Sequence, residues 1–338
     1  MRAFQISQFG LDHLQPVELP TPTPGAGEVL IRVHAASLNY RDLRMIAGLY
    51  DPKLHFPRIP LSDGAGEVVE VGAGVSRFRA GDRVTGLFLQ NWQDGPPSAA
   101  KSRGALGGDV DGVLAEYVAL PETGILHFPK HLSYEEASTL PCAALTAWNA
   151  LCVATRLQPG DTVVTQGTGG VSIFALQFAK MAGARVLGTS SSDEKLAKAK
   201  SLGLDTGLNY RQHPKWAAWV KEQTAGEGAD LIVEVGGSGT IAESMKAVRT
   251  GGTIAQIGVL SGVEEKLSVV PILMRQIHIA GIYVGSRAMM EAMNRAIELH
   301  QLKPVIDRVF PFEEMLSACR YMEKGQHFGK VVVAISVK

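Results

Sequence analysis

A glycine-rich turn between a predicted strand and a predicted helix is the feature that most constrains how this sequence folds. The turn, Gly167-Thr-Gly-Gly-Val-Ser172, follows the apolar strand Thr162–Thr165 and precedes a helix, Val171–Met181, with apolar residues at helical spacing. At a strand–helix junction such glycines permit a tight turn and let the backbone approach a pyrophosphate, which rests on the helix N-terminus. A glycine turn that binds no nucleotide is the alternative. We predict a dinucleotide site at Gly167, Thr168, Gly169, Gly170 and Val171.

The pattern of strands and helices changes along the chain. To about residue 125 the sequence holds short strand-like runs separated by turns, such as Leu30–Ala35 and Ala115–Ala119. From about residue 145 strands and helices alternate, which is typical of βα units that build a parallel sheet covered on both faces. Two helical segments and a last strand, Lys330–Ile335, follow residue 285. We expect an α/β fold with a β-rich domain at 1–125, a doubly wound parallel-sheet domain at 126–285 and a return to the first domain at 286–338.

The end of the second strand of the βα series indicates which dinucleotide binds. An NAD site normally carries Asp or Glu about 20 residues after the first glycine, where it holds the ribose hydroxyls. This sequence has Thr189-Ser-Ser-Ser192 there. Without a carboxylate, a 2′-phosphate accepts hydrogen bonds from Ser190 and Ser191, pairs with Lys195 and is covered by Tyr210. We therefore predict NADP(H) as the cofactor. The alternative is that the serines only cap the next helix.

Charge and hydropathy exclude several classes of protein. Lys and Arg number 33, as do Asp and Glu, so the formal net charge is zero and gives no general attraction to nucleic acid or acidic membranes. No window is long and apolar enough to span a membrane, and the N-terminus lacks a signal peptide. Three widely spaced cysteines, Cys142, Cys152 and Cys319, suit reduced thiols better than disulfides. We expect a cytoplasmic protein with no nucleic-acid or membrane partner.

Six motifs are spread over nearly the whole chain. They are Pro24-Gly-Ala-Gly-Glu-Val29, Asn39-Tyr-Arg-Asp42, Gly64-Ala-Gly-Glu-Val-Val-Glu-Val-Gly72, Gly81-Asp-Arg-Val84, the turn at 167–172 and His327-Phe-Gly-Lys-Val331. Together they resemble the medium-chain dehydrogenase/reductase superfamily, within it the zinc-free branch of quinone oxidoreductase-like proteins. The resemblance implies a GroES-like β-rich catalytic domain formed by both chain ends, and a Rossmann domain with the cofactor in the cleft between the two.

The same resemblance implies further contacts. It places nicotinamide binding at the backbone of Gly258, Val259 and Leu260, after a Rossmann strand. It also implies a homodimer or homotetramer built through the edge of the Rossmann sheet. The remaining residues that we predict to bind the cofactor are Thr146, Phe328 and Lys330.

The alcohol dehydrogenases of this superfamily bind a catalytic zinc through residues that this chain lacks. The resemblance places their first Cys ligand in the segment Ala36–Tyr40, their His-Glu pair at Ser62-Asp63 and a further Cys or Asp ligand near Cys142. Their structural zinc requires four closely spaced cysteines in the segment 90–111, which holds none. Cys142 alone cannot hold a catalytic metal and is better explained as a small buried hydrophobe. We predict no metal site.

Without zinc, other groups must meet the negative charge that develops on the oxygen of a hydride acceptor. By the resemblance, Asn39 lies at the nicotinamide end of the cleft and Tyr50 near the substrate, and both side chains can donate hydrogen bonds. We predict them as catalytic, although Asn39 also suits a helix N-cap and water is an alternative proton donor. Arg44 and Trp92 are predicted substrate contacts, Trp92 within a candidate lid at 90–111. The alternatives are that Arg44 lies in solvent and that Trp92 only fixes its loop.

The sequence therefore predicts an enzyme with a small-molecule carbonyl or quinone substrate. We expect an NADPH-dependent, zinc-independent oxidoreductase that transfers hydride to a quinone or an α,β-unsaturated carbonyl. Two alternatives stay open: an NADPH-dependent aldehyde or ketone reductase, and a non-catalytic NADPH-binding protein.

Overall fold

The computed structural model describes residues 1–335, and the last three residues of the predicted segment 286–338 lie outside the described residues. The chain divides into two compact units. Unit 1 consists of Met1–Leu145 together with residues 284–335, and unit 2 of Thr146–Tyr283. The first boundary lies at 145/146, whereas the sequence pattern places it at 125/126. Residues 126–145 stay with unit 1 because a strand at Ile125–His127 pairs with the strand Arg83–Gly86.

The first part of unit 1 is mostly β-structure. Its elements are β1 (Arg2–Ile6), β2 (Leu14–Glu18), β3 (Glu28–Leu38), α1 (Tyr40–Ile46), β4 (Asp63–Val71), β5 (Arg83–Gly86), β6 (Tyr117–Pro121), β7 (Ile125–His127) and α2 (Tyr134–Ser138). Strands β1 and β2 form a separate antiparallel pair. Helix α1 begins directly after β3, so the side chain of Asn39 stands at the point where strand becomes helix.

Unit 2 is built from alternating strands and helices. Its elements are α3 (Leu145–Trp148, which starts at the last residue of unit 1), β8 (Thr162–Gln166), α4 (Gly170–Met181), β9 (Arg185–Ser190), α5 (Asp193–Ser201), β10 (Thr206–Asn209), α6 (Trp216–Gln223), β11 (Ala229–Glu234), α7 (Ile241–Ala247), β12 (Val248–Gln256), α8 (Val270–Met274) and β13 (His278–Gly281). The six strands form one sheet in the order β10-β9-β8-β11-β12-β13, and all pairs are parallel. The prediction of a doubly wound parallel sheet is therefore confirmed.

This strand order places a switch point between β8 and β11. The chain runs outward from β8 to β10, then returns to β11 and continues outward on the other side. In open parallel sheets, ligands bind in the crevice that this reversal leaves beyond the carboxyl ends of the strands. The glycine-rich turn after β8 stands at that point.

The chain then completes unit 1. Its last elements are α9 (Arg287–His300), β14 (Ile306–Pro311), α10 (Met315–Glu323) and β15 (Lys330–Ala334). Strand β15 lies between β14 and β3 in a seven-stranded sheet of order β14-β15-β3-β4-β5-β7, to which β6 adds by pairing with β3. The valines at 331–333 are buried, as expected for a strand covered on both faces.

Several predicted ends differ from the observed ones. The sequence pattern also predicts a helix that reaches Arg249, a strand that starts at Thr253 and a strand at Ile277–Val284. In the structure the helix ends at Ala247, because β12 already begins at Val248. The last of these strands is shorter, at His278–Gly281. Apolar residues continue past each end, so hydrophobic pattern alone does not mark where strand pairing stops.

The segment 90–111 packs within unit 1. Trp92 is buried and its Nε1 donates to Gly95 O over 2.9 Å, while Leu89 pairs with Ala105 across the segment. These contacts tie the segment to unit 1 and place the Trp92 ring in its interior. Among residues 1–335, no helix is both long and apolar enough to cross a membrane.

Candidate functional site

The glycine-rich turn of unit 2 presents open backbone at the start of α4. Gly167 has a φ of 69°, in the left-handed region that favours glycine, and its N–H donates to Thr189 O over 2.7 Å. Gly169 is the N-cap of α4, and within the described chain no side chain caps this helix. The first N–H groups of a helix have no partner inside it, so they can hold an anion. A Cβ at Gly167 or Gly169 would meet no atom of residues 1–335 within 4 Å.

The other residues of the turn also suit a site that holds an anion. Ser172, at the third glycine position of the fingerprint, is buried and its hydroxyl donates to Gln166 O over 2.6 Å, so it packs the helix against the strand. Thr168 is buried, and Gly170 and Val171 are the first two residues of α4. These residues fit a dinucleotide pyrophosphate, and the turn, with α4 behind it, would hold that group.

The predicted phosphate-binding residues meet at the carboxyl ends of β9 and β10. Ser190 pairs with Asn209 in the sheet, and Tyr210 N donates to Ser190 O over 3.0 Å. Lys195 N donates to the hydroxyl of Ser192, which caps α5. Ser190 is buried, Ser191 and Lys195 are half-buried and Tyr210 is exposed. The structure therefore brings these four predicted residues to one edge of the sheet. Arg211, exposed and next to Tyr210, joins them.

Asp193, at the start of α5, accepts hydrogen bonds from two neighbouring side chains. Asn209 Nδ2 donates to Asp193 over 3.0 Å and Gln212 Nε2 donates to the same carboxylate over 3.2 Å. At the last residue of β9 itself the chain has Ser190, so a carboxylate is missing from the position where an NAD site normally has one.

A buried carboxylate organises the switch point, and sequence reasoning missed it. Glu234 ends β11 and is buried; it accepts from Gln166 Nε2 (2.7 Å), Thr240 Oγ1 (2.5 Å), the N–H groups of Gly236 and Gly237, and the Ser244 hydroxyl. These donors come from β8, from the loop after β11 and from α7. The signal was present in the sequence as an acid at the end of an apolar strand, two residues before a pair of glycines.

The loop predicted to bind nicotinamide packs closely on the end of β11. Gly258 N donates to Glu234 O and Leu260 N to Val235 O, each over 3.2 Å. A Cβ at Gly258 would lie 2.3 Å from Val235 O, so this position needs glycine for the close approach. Val259 lies between Gly258 and Leu260 in this loop. Thr146, the remaining predicted residue of unit 2, is buried in α3.

In unit 1, the end of β3 brings together side chains from three segments. Ser37 pairs with Asp63 in β4, and Leu38 pairs with Val331 in β15. This register places Asn39, Asp63 and Lys330 side by side at one end of the sheet. The Lys330 ammonium donates to Leu38 O over 2.6 Å and to Asn39 Oδ1 over 2.5 Å.

Two buried acids lie in this cluster. Asp42 accepts from Asn39 N over 2.8 Å, and burial raises the pKa of Asp42 to about 6, against the opposing effect of Arg41. Asp63 accepts from the Ser62 hydroxyl over 2.7 Å and from Cys142 N over 3.1 Å. Burial raises the pKa of Asp63, and the charge of Lys330 opposes this rise. Sequence reasoning assigned neither acid a role in the site.

The predicted substrate-side residues of unit 1 lie in different surroundings. Tyr50 is 41% exposed, and the guanidinium of Arg41 lies 5.4 Å from the centre of its ring. Arg44 is half-buried and donates to Leu49 O over 3.1 Å, which ties α1 to the segment that carries Tyr50. Phe328, two residues before Lys330, is buried.

The residues at the expected zinc position do not fit a metal. The three segments predicted for zinc ligands do converge, but they supply Asn39, Ser62-Asp63 and Cys142, with a lysine ammonium among them. Burial raises the pKa of the Cys142 thiol far above its ordinary value, which opposes formation of the thiolate that a metal binds. In residues 1–335, no group of three or more His, Cys, Asp and Glu side chains is placed to hold a metal ion.

Two family models match the chain. The model described as alcohol dehydrogenase GroES-like domain matches residues 25–130, and the model described as zinc-binding dehydrogenase matches residues 170–299. The word zinc in the second description concerns that family; the cluster in unit 1 lacks the matching ligands.

Individual relatives match over almost their full length. A zinc-type alcohol dehydrogenase-like protein of Schizosaccharomyces pombe is 44% identical over 333 residues, which cover 96% of each chain. An acryloyl-coenzyme A reductase of Metallosphaera sedula is 30% identical, with 94% of this chain and 95% of the relative covered. A crystal structure of an NAD-dependent alcohol dehydrogenase has a TM-score of 0.92 at 37% identity and covers 99% of this chain and 100% of that one.

The turn at Gly169 allows a direct test of cofactor binding. Gly169 has an extended backbone and open space at its Cβ position, so Gly169→Ala should lower the melting temperature by no more than a few degrees, the cost of alanine at an N-cap. The added methyl group occupies the space through which the backbone approaches a pyrophosphate, and we expect cofactor affinity to fall about tenfold. Titration of protein fluorescence with the reduced cofactor measures this. Gly281→Ala, at another open glycine of unit 2, is the control; equal affinity in the two variants would contradict the prediction.

Proposed function

Because the chain belongs to the medium-chain dehydrogenase/reductase superfamily, a family of nicotinamide-dependent oxidoreductases, we propose that it reduces an α,β-unsaturated carbonyl or a quinone with NADPH and without a catalytic zinc. The observation that carries this proposal is the donor set at the end of β3. At the position where zinc-dependent relatives would place their metal, this chain has an amide, a carboxylate and a lysine ammonium. The reaction must then rely on hydrogen-bond donors of the chain.

The choice of NADPH is supported by the edge of the sheet at β9 and β10. Ser190 ends β9 without a carboxylate, while Lys195 lies in the first turn of α5 and Tyr210 and Arg211 directly follow the neighbouring strand β10. A 2′-phosphate adds negative charge, which two cationic side chains would stabilise and a carboxylate would repel. Glu234 keeps the loops after β8 and β11 in place for the same cofactor.

When bound, reduced nicotinamide supplies a hydride. The residues of the chain would bind and orient the reactants and supply hydrogen bonds and a proton. The turn at Gly167–Gly169 would hold the pyrophosphate, and the backbone at 258–260 would orient the nicotinamide. The Asn39 amide nitrogen would donate a hydrogen bond to the carbonyl oxygen on which negative charge develops. Hydride adds to the β-carbon of an enone, and a proton from the Tyr50 hydroxyl or from water then adds to the α-carbon, which gives a saturated carbonyl.

The relatives support two acceptor classes. The relative named acryloyl-coenzyme A reductase supports an activated C=C bond. The relatives named alcohol dehydrogenase favour the second candidate, reduction of an aldehyde or ketone to an alcohol. We rank the enone or quinone first because the unit 1 cluster lacks a Lewis-acid ligand set, and a conjugated acceptor spreads the developing charge.

Turnover with defined acceptors tests the proposed function. Oxidation of NADPH and of NADH is followed at the nicotinamide absorbance band with quinones, enones and simple aldehydes, with and without a chelator. We expect faster turnover with NADPH on enones or quinones, unchanged by chelator. Activity that is lost on chelation and restored by zinc would contradict the metal-free reaction. Turnover of aldehydes alone would favour the second candidate, and cofactor binding without any turnover would favour a binding protein.

Arg211 tests the choice of cofactor. Its side chain is exposed, so Arg211→Met should fold normally. Loss of one charge beside a 2′-phosphate should lower kcat/KM for NADPH about tenfold and leave kcat/KM for NADH unchanged. Lys200→Met, on the exposed last turn of α5, is the control. A parallel fall with both cofactors would mean that Arg211 does not distinguish them.

We also propose that the chain forms homo-oligomers through the edge of the unit 2 sheet. Strand β13 is one of the two edge strands of this sheet, and the helix before it, α8, exposes large apolar side chains. Exposed apolar groups on and near these elements are Val263, Val269, Val270, Leu273, Met274 and Ile279. An apolar patch beside an open sheet edge favours association with a second chain.

A charge in this patch tests the assembly. Leu273 is 76% exposed, so Leu273→Glu should leave the fold intact and shift the mass in solution to the 36.1 kDa of a single chain. Light scattering after size exclusion measures the mass. Leu299→Glu, at a residue 79% exposed on α9, is the matched control and should keep the mass of the wild type. A monomeric wild type, or an unchanged mass for Leu273→Glu, would refute this interface.

A further inference from the structure

Lys330 is a buried cation whose position is set by the pairing of β15 with β3. The residue is 3% exposed, its backbone N–H donates to Val305 O, and its neighbour Val331 pairs with Leu38. The ammonium donates to Leu38 O and to Asn39 Oδ1 at 2.6 and 2.5 Å. The sequence predicts a cofactor contact for Lys330, but these two bonds direct its ammonium into unit 1.

The charges around Lys330 balance in number. Asp42 and Asp63 are the buried acids, and Arg41 and Lys330 are the buried bases; each of the four is at most 8% exposed. Arg41 Nη1 pairs with Asp42 Oδ1 over 3.2 Å. Ser37 pairs with Asp63 and Leu38 pairs with Val331, so Asp63 lies at the same end of the sheet as Lys330 and is the remaining buried acid whose charge Lys330 balances. A buried carboxylate without such compensation would strongly destabilise the fold.

A divalent cation would disturb this balance. Its conventional ligands here are Asp63 and the thiol of Cys142, and the thiol would have to lose its proton. Asp63 already accepts from Ser62 and from the backbone of Cys142. Two further positive charges beside an ammonium would leave the buried cluster with an excess of positive charge, which a low-dielectric interior disfavours. The ammonium therefore acts against metal binding.

The same ammonium determines how the Asn39 amide is oriented. A lysine ammonium has three donors and no acceptor, so the amide atom that faces it must be the oxygen, Oδ1. Nδ2 then points to the other side. Asn39 is 7% exposed, and its amide faces Asp63, whose pKa it lowers by hydrogen bonding, although Nδ2 makes no short hydrogen bond within residues 1–335. Because Nδ2 carries two hydrogens, one remains available to an incoming oxygen when the other is directed at Asp63.

We propose that Lys330 is the permanent cation of this cluster: it compensates Asp63, excludes a divalent metal ion and acts as a positioning residue that holds the Asn39 amide with its nitrogen free to donate. The effect on Asn39 rests on the proposed function, because it requires an acceptor oxygen. The exclusion of metal and the charge compensation do not depend on the proposed function. They can be measured on protein without any substrate.

The substrate-free test combines metal content with a double-mutant cycle. Protein incubated with Zn²⁺ and desalted is analysed by mass spectrometry of metals; we expect less than about 0.1 zinc per wild-type chain at this cluster. One zinc per wild-type chain that disappears in Asp63→Asn would overturn the proposal. In chemical unfolding, we expect Lys330→Met and Asp63→Asn each to lower the midpoint, and the double variant to lower it less than the sum. Additive losses would overturn the pairing of the two residues.

The catalytic test uses Asn39 as the reference. We expect Lys330→Met to lower kcat/KM for the enone by about 10-fold to 100-fold, and Lys330→Met in an Asn39→Ala background to cause no further loss, because Lys330 acts through Asn39. Lys330→Arg, which keeps a donor, should retain more activity than Lys330→Met. Lys324→Met, at an exposed lysine of unit 1, is the control. Losses that multiply in the double variant would refute the positioning role.

The two tests separate two kinds of failure. If no acceptor is turned over, the proposed function fails while metal content and unfolding still decide the charge compensation. If turnover is found but Lys330→Met and Asn39→Ala act independently, the proposed function stands and the positioning role fails. Should Lys330→Met not fold, Lys330→Arg and Asp63→Asn complete the comparison, because each keeps a polar group in the cluster.

Discussion

The pairing of β15 with β3 is the interaction on which unit 1 depends. It joins residues 330–334 to residues near the start of the chain, and the valines at 331–333 are buried in the resulting sheet. The same pairing places Lys330 beside Asn39, one step beyond the last paired residues. A shift of one residue would turn every side chain of β15 to the opposite face and carry Lys330 away from Asn39, so the register that buries the valines also fixes the place of the buried charge. Packing and chemistry in this unit therefore share one register.

In unit 2 the corresponding constraint is the reversal of strand order between β8 and β11. The reversal leaves the turn at Gly167–Gly169 and the loop after Glu234 at the same edge of the sheet. Glu234 makes this edge rigid, because one buried carboxylate accepts from β8, from its own loop and from α7. Its hydrogen bonds position these three elements relative to one another. A single buried anion thus connects the elements that would surround a cofactor.

Membership of the family establishes the fold and a nicotinamide-dependent oxidoreductase, whereas the chemistry at the end of β3 depends on the side chains that this chain places there. Relatives whose names include zinc share up to 44% of the sequence with this chain. At the end of β3, however, this chain has Asn39, Asp63, Cys142 and a lysine ammonium. A fold can be retained while the charge at its site is supplied by a different group, because packing depends on apolar side chains and metal binding on a few ligands.

Much of the architecture was determined by the sequence itself. The glycine turn after β8 and the alternation of strands and helices predict a doubly wound sheet, because these patterns act over a few neighbouring residues. The absence of an acid at Ser190 is likewise local. Arg211 was missed because only the pairing of β9 with β10 shows that the ends of these two strands are neighbours. The role of Glu234 was missed because its partners come from β8 and α7. The charge cluster of Asp63 and Lys330 was decided by tertiary structure alone: the two residues are far apart in the chain, and only sheet register brings an ammonium and a carboxylate together in the interior.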